Sequence, residues 1–144
     1  MSLPETLEFH APSVGMSFRA KLLANENPDV IRQVMEQLPL QSVLGHVVVS
    51  GEAIWLPTRI VHLGRSNMVE RSVGAVYLYA PGQTICLTYG RITESAKVNK
   101  FGEVLESDLP ILRALGELVY EQTVVRPRRS VVEINIRKGG QCPL

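Results

Sequence analysis

The side chains of this 144-residue chain that could do chemistry are mostly aromatic, amide or basic. Tyr77 and Tyr79 alternate within an apolar run, and Gln83 follows them after a Pro-Gly pair. Tyrosine and glutamine side chains bind ligands through ring faces and hydrogen bonds, and neither is a strong nucleophile without an activating partner. These residue types therefore indicate a binding function before they indicate a reaction.

A second group of candidates is basic and lies in the least periodic segment of the chain, residues 58–73. Arg59 and His62 begin this segment, and Arg65 and Arg71 follow. A guanidinium offers two parallel donors to a carboxylate or phosphate, so the group predicts an anion site. The alternative is a surface connection, with one short strand, that carries solvated charges.

No complete catalytic or cofactor signature is present in the sequence. There is no nucleophile elbow, no phosphate-binding glycine loop and no dinucleotide fingerprint. His10, His46 and His62 are scattered, which predicts no metal site. Cys86 and Cys142 have no metal-ligand spacing, and we expect Cys86 to be a core residue without a disulfide. The sequence thus implies no cofactor and leaves catalytic residues unknown.

Composition favours a single globular domain over residues 1–144, with its core at about 6–137 and a disordered C-terminal tail. Apolar residues make up 45% and charged residues 20%, and the net charge is +1. Nucleic-acid and membrane-surface binding both require a basic field that this balance does not supply. No apolar run approaches the ~20 residues of a membrane span, and no secretory signal is visible. A cytoplasmic protein is expected.

The candidate residues are positioned by a predicted β-hairpin. Residues 75–80 and 84–89 are apolar, aromatic and β-branched, and the turn pair between them indicates two antiparallel strands. Because side chains alternate across a strand, Tyr77 and Tyr79 share one face, which is the outer wall if the aliphatic residues between them fill the core. Tyr89 falls on the core-facing side of its own strand.

Two helices and further strands complete the predicted fold. Asn27 is expected to cap a helix that ends before Pro39, and Ser107 or Asp108 to cap a second helix. Strands are predicted at 6–10, 16–23, 43–44, 47–49, 53–56 and 131–136. Many short strands with two isolated helices predict a mainly β fold, a closed barrel of about eight strands with two capping helices.

Several short motifs in this layout resemble the cyclophilin family of barrels. Phe101-Gly102-Glu103-Val104-Leu105 is similar to the segment that leads into that family's second helix, and Gly82-Gln83-Thr84-Ile85 to its glutamine-containing strand. Ile85-Cys86-Leu87-Thr88-Tyr89-Gly90 and Val98-Asn99-Lys100-Phe101-Gly102 resemble motifs of small prokaryotic cyclophilin-like proteins of unknown function. The resemblance spans residues 6–137 and implies a barrel with a ligand groove on its outer wall.

The chain departs from the prolyl isomerase pattern where that family binds its substrate. The family's Phe-His-Arg segment corresponds to Ile54-Trp55-Leu56-Pro57-Thr58-Arg59, in which Trp55 could replace the aromatic residue. The His-Arg pair is missing, and Arg59 is out of register. Val98 occupies the family's histidine position. Without the arginine, isomerisation loses its main electrostatic element.

These observations favour a protein that binds a small molecule or short peptide in a groove, without the standard prolyl isomerase residues. The candidate ligand-binding residues are Trp55, Arg59, His62, Tyr77, Tyr79, Gln83, Tyr89 and Arg91. Two alternatives remain open. One is a weak peptidyl-prolyl or other small-substrate isomerase that uses Arg59 and Gln83. The other is a self-assembly module whose exposed aromatic strands form a homo-oligomer.

Overall fold

The computed structural model describes residues 5–140, which form ten strands and two α-helices. The strands are β1 (Thr6–Ala11), β2 (Met16–Leu22), β3 (Leu40–Val43), β4 (Gly45–His46), β5 (Gly51–Pro57), β6 (Met68–Glu70), β7 (Ala75–Tyr79), β8 (Thr84–Ile92), β9 (Lys97–Val104) and β10 (Glu133–Lys138). The helices are α1 (Pro28–Glu36) and α2 (Leu109–Tyr120).

All ten strands belong to one sheet that curls into a nearly closed barrel. Nine strands follow one another in the order β3-β10-β1-β2-β9-β7-β8-β5-β4, and β6 pairs with β9. No backbone ladder joins β3 to β5 among the described residues; instead the Ser42 hydroxyl donates to the Pro57 carbonyl at 2.8 Å. The predicted mainly β barrel is confirmed, although it has ten strands rather than eight and its closure is incomplete.

One hydrophobic core fills the barrel, and both helices contribute to it. Val30, Ile31 and Val34 of α1 are buried, and α2 buries Leu112, Leu115 and Val119 in the same way. These positions recur every three or four residues, so each helix turns one apolar stripe inward, as its sequence predicts. Within residues 5–140, neither helix has the length and apolar character needed to cross a membrane.

Asn27 and Asp108 occupy the N-cap positions of α1 and α2 as expected, but the predicted side-chain capping bonds are wrong, because both side chains bond elsewhere. Asn27 precedes α1 but is fully buried, and its Nδ2 donates to Asn99 Oδ1 at 2.8 Å and to the Lys100 carbonyl at 3.0 Å. Asp108 precedes α2, and its Oδ2 accepts from the Arg19 backbone N–H at 2.9 Å. Both residues tie a helix start to a distant strand instead of satisfying the first turn.

The predicted strand at residues 47–49 is also wrong. The chain bends there, and Val48 and Val49 are 81% and 82% exposed. β-Branched residues favour strands through packing against neighbours, and these two side chains have little to pack against. Segment 58–73 is irregular apart from β6, which matches the one short strand of the surface-connection alternative.

The C-terminal tail, expected to be disordered, is bonded at its start. Lys138 belongs to β10, and the Gly139 N–H donates to the Thr6 carbonyl at 2.9 Å. The Thr6 hydroxyl in turn donates to the Gly140 carbonyl at 2.7 Å. The remainder of that prediction, residues 141–144, lies outside the described residues, and so does Cys142.

Candidate binding groove

A row of three side chains crosses the outer wall of the barrel. Tyr77 of β7 is in register with Cys86 of β8, and Cys86 is in register with Trp55 of β5. Side chains of residues in register on antiparallel neighbours point to the same face. This face is the outer one, because Val76 and Leu78, on either side of Tyr77, are buried in the barrel core. The predicted orientation of the hairpin is confirmed.

These outer residues form a small apolar cluster of their own. Tyr77, Cys86, Ala75 and Val98 are all less than 7% exposed, and Trp55 packs against them while remaining partly accessible. Above this cluster lies a groove of about 600 Å³. That volume falls in the range of small-molecule sites, and aromatic lining is typical of them.

Two glycines set the positions of the aromatic walls. Gly45 lies directly beneath the Trp55 indole, where an added β-carbon would come within 2.4 Å of Trp55 Cζ2. Gly82 lies beneath Tyr79, where an added β-carbon would come within 3.1 Å of the ring. Tyr79 is 53% exposed, so its ring is the accessible wall of the groove.

An ion pair forms the polar end of the groove. Arg71 Nη1 donates to the Glu94 carbonyl at 3.1 Å and lies 3.6 Å from Glu94 Oε2. The Arg71 side chain is only 14% exposed, and its Nε is buried with no hydrogen-bond partner among residues 5–140. Among the described residues, Arg71 and Glu94 are the only formally charged ones that line the groove. One end can therefore bond a polar or charged group while the aromatic walls hold an apolar one.

The two ionisable groups on the floor are neutral at neutral pH. Burial raises the pKa of the Tyr77 hydroxyl, and it raises the pKa of the Cys86 thiol to about 11. The thiolate is the nucleophilic form of cysteine, so Cys86 is not an activated nucleophile. No cluster of metal-ligating side chains occurs within residues 5–140. The arrangement is suited to binding a ligand.

Five of the eight sequence-predicted candidates lie outside this groove, and Gln83 and Arg59 are two of them. Gln83 adopts a left-handed conformation, with φ of 54°, at the end of the hairpin turn. Its carbonyl accepts from the Thr58 backbone N–H at 2.9 Å and from the Thr58 hydroxyl at 2.7 Å. Arg59 is exposed and lines another cavity beside Gln37, whose Oε1 accepts its backbone N–H at 3.0 Å.

His62 bridges helix α1 and the irregular segment. Gln33 Nε2 donates to His62 Nδ1 at 3.0 Å, so the ring's Nε2–H donates to the Ser66 hydroxyl at 3.1 Å. Both ring nitrogens are thus used within the protein, and we assign His62 a structural role. Tyr89 is buried in the core, as predicted, and lines a separate cavity together with Arg91.

Sequence reasoning missed three residues of the groove. Arg71 was grouped with Arg59 and His62 as a possible anion site but was not selected as a ligand-binding residue, Cys86 was expected only as core, and Glu94 was not selected. Arg71 and Glu94 are 23 positions apart and meet because β6 and the 93–96 segment lie together. The alternation of β8 places Thr84 and Cys86 on one face, and that alternation is the signal that could have identified Cys86.

Comparison with protein-family models found no match to this chain, and comparison with curated proteins found none either.

Two solved structures share the fold. The structure of McbB in complex with tryptophan superposes with a TM-score of 0.83 at 21% sequence identity, covering 96% of this chain and 46% of that chain. The solution structure of the hypothetical protein AF2241 from Archaeoglobus fulgidus gives a TM-score of 0.66 at 18% identity, covering 96% of this chain and 98% of that chain. The present chain therefore spans less than half of McbB, and at these identities the likeness shows a shared fold alone.

Proposed function

We propose that this protein is an atypical cyclophilin-like barrel that binds a small molecule or short peptide in the groove above Tyr77 and Cys86. The observation that carries the proposal is the groove itself, a concave outer surface with Trp55 and Tyr79 as walls. Its floor is buried and neutral, and its charge is confined to one end. A ligand with one planar ring and at least one charged or polar group matches that distribution.

An aromatic amino acid, free or at the end of a peptide, is the ligand class that we favour. Its ring would lie between Trp55 and Tyr79, since aromatic pairs gain from offset or edge contacts beyond simple burial. Its charged groups would lie at Arg71 and Glu94. The structural neighbour McbB is described in complex with tryptophan, which supports this class without fixing the ligand.

Prolyl isomerisation is not the function that we favour. The segment that resembles the family's Phe-His-Arg motif lacks the His-Arg pair, and Arg59 lines a different cavity from Trp55 and Tyr77. A coupled prolyl-peptide isomerisation assay should show only the uncatalysed rate. Acceleration that Arg59→Ala abolishes would restore the enzyme alternative.

The binding proposal is tested by thermal denaturation with L-tryptophan, L-phenylalanine and the dipeptide tryptophyl-glycine as probes. A ligand that binds only the native state raises the melting temperature. We expect at least one probe to do so for the wild type and to lose its effect in Tyr79→Ala. Tyr120→Ala is the matched control, because Tyr120 is 45% exposed and lines the cavity that contains Tyr89 and Arg91 instead of the groove.

The outcomes separate a groove ligand from nonspecific stabilisation. A ligand-induced rise in melting temperature that is retained in Tyr120→Ala and lost in Tyr79→Ala supports binding in the groove. No shift with any aromatic probe, or equal losses in both variants, would contradict the proposal.

A further inference from the structure

The cavity lined by Tyr89 and Arg91 has a volume of about 380 Å³ and lies beside Tyr120, the last residue of α2. Its lining shares only Val47 with that of the groove. Three rings line it, those of His46, Tyr89 and Tyr120, together with the carboxylate of Glu52. Nothing in the proposed groove function uses these residues, although they form a distinct chemical environment.

The three rings meet at steep angles instead of stacking. The His46 and Tyr89 ring centroids are 5.5 Å apart at 73°, and those of His46 and Tyr120 are 4.9 Å apart at 61°. Hydrogen bonds fix the rings of His46 and Tyr89. The His46 Nδ1–H donates to the Val47 carbonyl, and the Tyr89 hydroxyl donates to His46 Nε2 at 2.7 Å. The angled rings form two inner walls and one outer wall, of which only Tyr120 is substantially exposed.

The carboxylate of Glu52 is held in place beside these rings. Its Oε1 accepts the Arg91 backbone N–H at 2.8 Å, and it lies against Gly90, where a β-carbon would come within 2.4 Å of the same oxygen. No lysine or arginine side chain forms an ion pair with Glu52 within residues 5–140. Glu52 is therefore a carboxylate fixed beside three rings and not engaged in an ion pair within the described residues.

The rings carry no charge that would repel a cation at neutral pH. Burial lowers the pKa of His46, so the imidazole stays neutral. Burial also raises the pKa of Tyr89 to about 12, so its hydroxyl stays protonated. The negative charge of Glu52 is therefore not offset by the rings it faces.

We propose that this cavity binds a small alkylammonium cation, with the ammonium group against the exposed ring of Tyr120 and paired with Glu52. Ring faces attract cations, most strongly where water is excluded, and aromatic cages recognise quaternary ammonium groups. A carboxylate beside the ring adds attraction between opposite charges. The cation can come from a free metabolite of the choline type or from a methylated lysine side chain. Both sources present the same chemistry to the cavity.

Arg91 also lines the cavity and is the one lysine or arginine in its lining within the part of the chain that the structure describes. Its side chain is exposed, and only its backbone bonds Glu52. Arg91→Ala should therefore keep or improve cation binding. Weaker binding in this variant would overturn the placement of the ligand beside Glu52.

The test is a titration of the full chain with choline chloride, monitored by NMR. The signals observed are the ring resonances of His46 and the indole N–H resonance of Trp55. We expect saturable shifts at His46 with Trp55 unmoved, which separates this cavity from the groove. Sodium chloride controls for ionic strength, and dimethylbutanol, the neutral carbon isostere of choline, controls for shape. Equal binding of the isostere, or no saturable shift at His46 with any cation, would overturn the proposal.

Two substitutions and a peptide complete the design. Glu52→Gln and Tyr120→Leu should each weaken choline binding about tenfold, which is the range expected for losing one charge or one ring face. Glu26→Gln, at an exposed carboxylate outside the cavity lining, and Tyr79→Leu, in the groove, are the matched controls, and both should bind choline as the wild type does. A peptide with trimethyllysine, compared with its unmodified form, identifies which source the cavity prefers, and binding of either source supports the site.

Discussion

The Trp55 indole lies across Gly45 of the neighbouring strand, so closely that a β-carbon at Gly45 would overlap the six-membered ring at 2.4 Å. The two residues are in register on β4 and β5. One wall of the proposed groove therefore depends on a residue that has no side chain and takes no part in binding.

Gly45→Ala should displace the indole and weaken ligand binding. Overfilling a packed site costs about 1–3 kcal/mol of unfolding free energy when neighbours cannot move. Trp55 is the sole tryptophan, so its fluorescence spectrum reports the displacement directly. Gly140→Ala is the control, because an added β-carbon there meets nothing within 4 Å. An unchanged spectrum in Gly45→Ala would contradict this account of the wall.

Asn27→Ala should destabilise the fold although it removes no helix cap. The substitution removes both hydrogen bonds of the buried Nδ2, to Asn99 and to the Lys100 carbonyl, each worth about 0.5–1.5 kcal/mol, while Asn67 still donates to both acceptors. Urea denaturation measures the loss, with the exposed Asn25→Ala as the control. Equal unfolding free energies for the two variants would contradict a stabilising role for the hydrogen bonds of Asn27.

These two sites show how far sequence reasoning reaches. Alternation alone placed Tyr77 and Tyr79 on the outer wall, because the period of a strand is a local property. The role of Asn27 depended on Asn99, which is 72 positions away, so its local pattern indicated a cap instead. The partnership of Arg71 with Glu94 and the contact of Gly45 with Trp55 also arise from strand pairing, which residue types do not specify.

The stability of the protein should fall as the pH drops below about 6.5, the ordinary pKa of histidine. Burial lowers the pKa of His46 in the folded state, so the unfolded chain binds a proton first. The contribution of His46 is complete above that pH and is lost between its unfolded and folded pKa values.

Denaturant titrations at several pH values, compared between the wild type and His46→Gln, isolate this contribution. The stability advantage of the wild type should shrink as the pH falls through this range. A constant difference between the two proteins would show that His46 does not contribute in this way.

Cys86 should react slowly with iodoacetamide in the native protein. Burial raises the pKa of its thiol to about 11, so little reactive thiolate forms near neutral pH. The experiment uses a Cys142→Ser background and compares the rate with that of N-acetylcysteine. Reaction as fast as that of the free thiol would mean that the groove floor is open to solvent and its thiol ionised.

The most direct test of the groove is the indole N–H resonance of Trp55 in the ¹⁵N-labelled protein, followed while unlabelled L-tryptophan is added. Because the chain has one tryptophan, this resonance reports one wall of the groove without assignment of the full spectrum. Our account predicts a saturable shift that is lost in Tyr79→Ala and retained in Tyr120→Ala. Saturable shifts elsewhere with Trp55 unmoved, or no shift at all, would contradict it.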